Sequence, residues 1–367
     1  MYNLIPHFIY DEYQANHLSG DVMVATMFMD MSGFTHMTET LMQYGKAGAE
    51  ILADILERVF QPIIHAVYEN GGYIAGFAGD AFMAVFPADN PIAVCLTAKI
   101  IRESSIRQAC QQTSHGDFSF SVKMGLSYGK VEWGIIGPEN HRTYFYRGAG
   151  IDGCTQAENM AESGDIILDH NLQTHLPLDT MEFQSRTLEI DLINENYAKL
   201  ITLHDTNLPK QNFPAPYASL PTDFFSESLL NATQKGEFRD VVSVFISFQA
   251  NMDTVEKLDM FVTHVIETVD DFGGYFNRLD FGDKGGNMLI FFGAPTAYEN
   301  NIGRALNFIS TLKEDMTSCE NMLALKWRAG IAYGSMYAGM VGIPLRCEYT
   351  TLGTAVNLSA RLNYTDS

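Results

Sequence analysis

Basic residues are scarce in this sequence. Its 367 residues include 23 Lys and Arg against 44 Asp and Glu, which gives a formal net charge of −21. Nucleic acids and anionic membranes bind proteins through clustered Lys and Arg. The composition therefore excludes bulk affinity for either, and a polyanion could bind only at a local site with the help of metal ions.

Cysteine is scarce, and long apolar runs and a leader-like N-terminus are not found. The five cysteines are dispersed with no CxxC pair, which favours reduced thiols. No apolar stretch reaches the ~18 residues of a membrane span. The N-terminal MYNLIPHFIYDEYQ lacks a basic start and a long apolar core, so it does not resemble a signal peptide. We expect a cytoplasmic chain with no membrane segment.

The sequence does contain an internal repeat. GGYIAGFAGDAFMAVFP at 71–87 returns as GGYFNRLDFGDKGGNMLIFFG at 273–293, and KMGLSYGKVEWGIIG at 123–137 returns as RAGIAYGSMYAGMVG at 328–342. Gly125 and Gly330 are 205 residues apart, as are Gly148 and Gly353. A period this long indicates two copies of one domain.

The repeat divides the chain into four parts. We predict an N-terminal segment (1–20), copy one (21–205), a linker rich in proline (206–237) and copy two (238–367). Copy one is predicted to contain a strand at 24–30, a helix at 47–69, a hairpin at 73–77 and 81–86, a helix at 91–105, strands at 119–128 and 130–136, and a helix from about 150 to 162. The first strand of copy two is predicted at 241–248. The order β-α-α-β-β-α-β predicts an α+β fold of ferredoxin type in each copy.

Two carboxylates are predicted at the same end of neighbouring strands in copy one. Asp30 ends the apolar run from Val24, and Asp80 lies near the tip of the hairpin. Each alone is compatible with an ordinary strand end or turn, but together they would repel unless a cation lay between them. Hard divalent cations take such oxygen ligands, with the Met31 carbonyl as a neutral addition. Gly33 and Phe34 then predict a turn and a helix start that face an anion.

The quoted blocks resemble a known family. FMDMSGFT, GGYIAGFAGDAF, MGLSYGKVEWGIIG and EYTTLGTAVNLSARL are similar to the signature blocks of class III nucleotidyl cyclases, over about 20–200 and 238–367. The tandem arrangement most resembles the soluble adenylyl cyclases and the bacterial proteins in which two cyclase domains precede an ATPase module. The resemblance implies a pseudo-symmetric intramolecular dimer of two cyclase domains, with sites at their interface.

The resemblance also implies that only one of the two sites is competent. Copy one has the metal ligands Asp30, Met31 and Asp80, whereas copy two has Ser247 in the place of Asp30. Copy two has Thr350, Asn357 and Arg361, which by analogy contact the base, the ribose and the triphosphate. Copy one instead has Asp152 and Gln156 in the places of Asn357 and Arg361.

Base selection favours ATP over GTP. The position of the adenine-selecting lysine of such cyclases holds Arg278, Lys284 lies close by as a substitute, and Thr350 fits adenine. Nothing resembles the Glu–Cys pair of guanylyl cyclases. Lys123 and Arg328 precede the matched glycines, and each is either a phosphate contact or a surface strand residue.

We therefore expect an adenylyl cyclase that converts ATP to cyclic AMP and pyrophosphate with two Mg²⁺ or Mn²⁺ ions. The alternatives are a guanylyl cyclase, a nucleotide-sensing module that binds ATP without turnover, and a ferredoxin-like nucleic-acid binder, which the charge disfavours. On the repeat, Ser367 matches Glu162, so copy two is expected to be short of a final stretch. In the family that stretch carries a loop lysine, and further C-terminal domains are expected.

Overall fold

The structure is a computed structural model that describes residues 2–176, 188–203, 208–217, 219, 221–225, 229, 236–249, 254–323 and 325–363. Much of the predicted linker, the end of copy two from residue 364 and part of the stretch after 162 lie outside these ranges. Within them, no helix has the length and apolar character needed to cross a bilayer.

Copy one is built on one large sheet. Its elements are α1 His7–Gln14, β1 Ser19–Ser32, α2 Phe34–Met42, α3 Gly45–Glu69, β2 Tyr73–Ala78, β3 Ala81–Pro87, α4 Ile92–Arg107, β4 Cys110–Thr113, β5 Gly116–Ser119, β6 Ser121–Ile136, β7 Thr143–Arg147, α5 Ala149–Asn159, β8 Ile166–Asp169, α6 His170–His175, β9 Leu188–Leu192 and β10 Tyr197–Leu203. The strand order is β2-β3-β1-β6-β8-β10-β9, with β7 on β6 and a separate β4–β5 hairpin.

Copy two repeats the central part of that sheet. A short 3-10 helix, Thr222–Phe224, precedes it. Its elements are β11 Gly236–Gln249, α7 Val255–Asp271, β12 Tyr275–Gly282, β13 Gly285–Phe292, α8 Asn301–Leu323, β14 Lys326–Ile343, β15 Arg346–Leu352 and α9 Thr354–Leu362. The order β12-β13-β11-β14-β15 matches β2-β3-β1-β6-β7 of copy one. The predicted α+β fold with two ferredoxin-like copies is confirmed.

Each copy extends an arm into the other, namely β14–β15 from copy two and β6–β7 from copy one. Hairpin β14–β15 of copy two sends Tyr337, Val341 and Leu352 into the apolar core of copy one. Ile136 and Phe145, from β6 and β7, enter the core of copy two in return. Strand β15 packs on β2, and β7 packs on β12. Each copy therefore completes the other's core, which is the pairing that the family resemblance implied.

One predicted strand boundary is wrong. Residues 121–128 and 130–136 of the two predicted strands lie in the single strand β6, which pairs with β1 from Ser19 to Ser32, whereas Ser119 ends β5. Gly129 does not break the strand, because it stays paired with Val24. A Cβ at Gly129 would lie 2.8 Å from the backbone nitrogen of Gly150, so the missing side chain lets α5 pack directly on β6.

Candidate active site

The two predicted carboxylates lie at one end of the copy-one sheet. Asp30 is near the end of β1, which pairs with β3 as far as Met29 and Phe82. Asp80 lies in the tight turn between β2 and β3. Burial raises the pKa of Asp80 to about 7, and the nearby charge of Asp30 adds to the rise. The structure thus brings two acids together in an arrangement that a cation would stabilise.

The donor set fits a hard divalent cation. Among the described residues no cluster of three or more His, Cys, Asp and Glu side chains could hold a metal ion. Mg²⁺, however, is typically held by one or two carboxylates together with substrate phosphates and waters. Asp30 and Asp80 provide two such carboxylates, while the Met31 side chain is buried in the core.

Helix α2 begins where the sequence predicts an anion-facing turn. Its N-cap, Gly33, has a φ of 111°, in the left-handed region that favours glycine. A Cβ there would lie 2.3 Å from the carbonyl oxygen of Ser119. Glycine is therefore required by close packing against Ser119, which is a different reason from the predicted approach to phosphate. Phe34 is buried and stacks on Phe120, with 4.6 Å between ring centroids.

A cavity of about 120 Å³ lies between the copies next to these residues. Copy one and copy two both contribute to its wall. It is lined by Phe34, Thr35, Thr38, Ala78, Gly79 and Asp80 from copy one and by Phe245, Arg278, Thr351, Leu352, Gly353, Val356, Asn357 and Ala360 from copy two. Four residues predicted from separate motifs, Phe34, Asp80, Arg278 and Asn357, thus meet at one cavity.

The predicted base-selecting residues are linked through Asn277, which the sequence analysis missed. Thr350 Oγ1 and Arg278 Nη1 both donate to Asn277 Oδ1, each at 3.3 Å. Asn277 Nδ2 donates to the Tyr349 carbonyl at 2.7 Å. Arg278 also donates through Nε to Asp280. Asn277 thus links strand β12 to strand β15, and a contact between residues so distant in sequence is visible only in the fold.

Thr351 is a second residue that the sequence analysis missed. It lines the cavity, whereas Thr350 is not among the lining residues. The Thr351 side chain is buried, and its hydroxyl has no hydrogen-bond partner among the described residues. A buried hydroxyl without a partner costs stability, so Thr351 is a candidate ligand contact beside Thr350.

Other predicted residues lie around the cavity or away from it. Arg361 is exposed and follows Asn357 by four residues on α9, so the two occupy one face of the helix. Lys284 lines a different cavity and is not among the residues around the smaller one. Lys123 Nζ lies 2.6 Å from Glu158 and 3.9 Å from Asp30.

A larger cavity of about 340 Å³ also lies between the copies and shares Ala78 and Arg278 with the smaller one. Its wall includes Gly76 and Thr155 of copy one and Arg278, Asp283 and Glu348 of copy two. Of the residues predicted to make one site degenerate, Ser247, Asp152 and Gln156 are not among those that line this cavity. Asp152, half-buried on α5, has its pKa raised by burial and by the charge of Asp283.

Ser247, which holds the place of Asp30 in copy two, is hydrogen-bonded to the side-chain amide of Asn363. The Asn363 side chain, in the orientation that satisfies both its atoms, accepts from Ser247 N at 3.0 Å and from Ser247 Oγ at 2.9 Å. Its nitrogen donates to the Arg328 carbonyl at 3.2 Å. Ser247 is thus engaged with neutral partners.

Comparisons with known proteins agree with this arrangement. Residues 19–197 match the family model described as the adenylate and guanylate cyclase catalytic domain. These residues are therefore similar to the catalytic domain of the class III nucleotidyl cyclases. The match covers most of copy one, including Asp30, Asp80 and Lys123.

Longer relatives extend the likeness to both copies. The chain is 27% identical to human adenylate cyclase type 10 over 383 residues, covering 92% of this chain but only 23% of that protein. The rat protein of the same name is 25% identical over the same shares. The chain thus spans about a quarter of the length of these relatives.

A solved structure supports the cyclase fold of the whole chain. It is a class III adenylyl cyclase-like ATP-binding protein from Pseudomonas aeruginosa, with a TM-score of 0.58 and 11% identity, covering 94% of this chain and 81% of that chain. At this identity the likeness extends to the fold alone.

Proposed function

We propose that this chain converts ATP to 3′,5′-cyclic AMP and pyrophosphate at one site shared by the two copies. The observation that carries the proposal is the smaller cavity, where Asp80 of copy one faces Arg278 and Asn357 of copy two. The adenylate cyclase relatives that align with 92% of the chain favour the same reaction.

The metal ions of the proposed reaction are Mg²⁺ or Mn²⁺, two in the competent site. Asp30, Asp80 and the carbonyl oxygen of Met31 would hold them. When bound, such ions favour deprotonation of the attacking hydroxyl and neutralise charge on the phosphates. The burial that raises the pKa of Asp80 means that this carboxyl must lose its proton to serve as a ligand.

Copy two orients the substrate in this proposal. Asn357 contacts the ribose and Arg361 holds the triphosphate, so that the ribose 3′-hydroxyl is aligned with the α-phosphorus. Arg278 and Thr350, held together by Asn277, contact the base. Lys123 contributes positive charge on the side of Asp30. Positioning of this kind supplies most of the rate in phosphoryl chemistry, so no side-chain nucleophile is required.

Product identification tests the proposal. The purified chain is incubated with ATP or with GTP, each with Mg²⁺ or Mn²⁺, and the products are separated by chromatography. We expect cyclic AMP from ATP and little cyclic GMP from GTP. Cyclic GMP as the main product would instead make the protein a guanylyl cyclase. ATP binding without either product would make it a nucleotide sensor.

A further inference from the structure

The buried acid Glu158 lies beside the candidate metal ligands without belonging to them. Its side chain is 7% exposed and its Oε1 is 2.6 Å from Lys123 Nζ. The same ammonium is 3.9 Å from Asp30 Oδ2, and Lys123 and Asp30 are direct partners across β6 and β1. Lys123 thus lies between two carboxylates and is held more closely by Glu158.

The backbone brings Glu158 to this place. A Cβ at Gly125 on β6 would lie 2.2 Å from the backbone nitrogen of Glu158, so only glycine permits the last turn of α5 to lie so close to the strand. Lys123 precedes that glycine by two residues on the same strand. The contact between Lys123 and Glu158 is therefore built into the packing of α5 on β6.

Copy two contains the same three positions without the charge pattern. Ser247 and Arg328 are direct partners across β11 and β14, as Asp30 and Lys123 are in copy one. Asn363 occupies the position of Glu158, again 205 residues further along the chain. Where the metal-ligand position is a serine, the acid is replaced by an amide that hydrogen-bonds to that serine. The acid is present only in the copy that keeps the metal-ligand carboxylate.

We propose that Glu158 is a positioning residue that holds the Lys123 ammonium off Asp30 and so leaves the Asp30 carboxylate available to a metal ion. The attraction between opposite charges rises as their separation falls. Without Glu158, the ammonium would close on Asp30, and an incoming cation would have to displace it. The inference rests on the proposed role of Asp30 as a metal ligand.

A double-mutant cycle on metal binding tests this proposal without using enzyme activity. Binding of Mn²⁺ alone, with no nucleotide, is measured by electron paramagnetic resonance for the wild type, Glu158→Gln, Lys123→Met and the double variant. We expect Glu158→Gln to weaken Mn²⁺ binding about tenfold, equivalent to ~1.4 kcal/mol. Lys123→Met should strengthen binding about twofold at most, on the same scale.

The double variant decides the mechanism. If Glu158 acts by restraining Lys123, the double variant binds Mn²⁺ at least about fivefold more tightly than the product of the two single effects predicts. If Glu158 acts only through its own charge, the two effects multiply, and that result would overturn the proposal. Glu132→Gln is the matched control, because it breaks a 2.7 Å ion pair with Arg147 beside the opposite end of β1. It should leave Mn²⁺ binding unchanged.

Two further variants keep the test decisive. If Glu158→Gln does not fold, Glu158→Asp replaces it in the double-mutant cycle. We then expect an intermediate loss of Mn²⁺ affinity, which Lys123→Met cancels. Asp80→Asn should abolish Mn²⁺ binding. A wild type that binds no Mn²⁺ would overturn both this inference and the proposed metal site. Binding that depends on Asp80 but not on Glu158 would overturn this inference alone.

Discussion

At the scale of single residues, the acid Asp80 is held in an environment that disfavours its charge. Its pKa rises from the usual 3.8 to about 7 because it is buried and faces Asp30. Between these two values the folded, metal-free protein binds more protons than the unfolded chain does. The free energy of unfolding therefore falls as the pH rises from about 4 to about 7, in proportion to the excess bound proton.

Removing this charge should stabilise the metal-free protein. We expect Asp80→Asn to raise the melting temperature in EDTA at pH 8, where the wild-type carboxyl is ionised, and to raise it much less at pH 5. Asp117→Asn, at an exposed position in the β4–β5 hairpin, is the control and should show no such pH dependence. An equal difference at both pH values would contradict the assigned cause.

The neighbouring threonines of β15 should respond in different ways. Thr351→Val removes a buried hydroxyl with no partner among the described residues, so we expect no loss of stability. If that hydroxyl contacts the nucleotide, the KM for ATP should rise about tenfold. Thr350→Val removes the hydrogen bond to Asn277 and should cost about 1 kcal/mol of unfolding free energy.

Urea unfolding and steady-state kinetics separate these two effects. An unchanged KM for ATP in the Thr351→Val variant would show that Thr351 does not contact the nucleotide.

Single residues were predictable where a local motif carries them. Asp30, Asp80 and Asn357 stand in blocks of recognisable spacing, and the structure places Asp80 and Asn357 at one cavity. Asn277 and Glu158 were not predictable, because their contacts join strands or helices that are distant in sequence.

At the scale of elements, the β14–β15 arm is tied to copy one by the buried Arg346. Its guanidinium donates to the carbonyl oxygens of Leu4 at 2.9 Å and Ile74 at 3.2 Å. It also donates to the Tyr144 hydroxyl at 3.0 Å and to the carboxylate of Glu348. One side chain thus joins the N-terminal segment, strand β2 and strand β7, and β2 leads directly to the turn that carries Asp80.

Loss of this clamp should be costly. Arg346→Met leaves the Glu348 carboxylate buried without its ion-pair partner and with the Tyr144 hydroxyl as a neutral donor at 3.2 Å. We therefore expect the free energy of unfolding to fall by about 3–5 kcal/mol. Adding Glu348→Gln should recover part of that loss because the unpaired charge is removed. Urea denaturation measures both variants, and a loss below about 1 kcal/mol for Arg346→Met would show that the clamp contributes little.

The element boundaries show what sequence patterns miss. Glycine inside a strand usually indicates a break or a bulge, and the two predicted strands are separated at Gly129, where the structure has one continuous strand. The deciding fact is tertiary, since β1 pairs with β6 from Ser121 to Gly134 and α5 packs over Gly129. Helix α1, with Ile9 at its core-facing side, was likewise not predicted, because its partners are distant residues.

At the scale of the whole molecule, two similar copies form two dissimilar cavities. The resemblance to the cyclase family implied the pairing and the asymmetry of the motifs. It could not predict that one cavity is larger than the other, about 340 Å³ against about 120 Å³, because cavity size depends on how the arms pack.

The larger cavity should not respond to bicarbonate. Gly76 adds no cation to a wall in which the carboxylates of Asp280, Asp283 and Glu348 offset the charges of Arg142, Arg278 and Lys284. We expect no rise in the cyclase rate when bicarbonate replaces chloride at constant pH and ionic strength. A saturable rise would show that this cavity binds the anion after all.

The central claim is that one shared site, built on the copy-one carboxylates, forms cyclic AMP. Asp283, at the hairpin tip of copy two, is the counterpart that tests it, because it lines the larger cavity and not the smaller one. The measurement is the rate of cyclic AMP formation from ATP and Mn²⁺ by the wild type, Asp80→Asn and Asp283→Asn. We predict that Asp80→Asn lowers the rate at least about 100-fold, or ~3 kcal/mol of barrier, while Asp283→Asn stays near the wild type. Equal losses in both variants, or an Asp80→Asn variant as active as the wild type, would contradict the account.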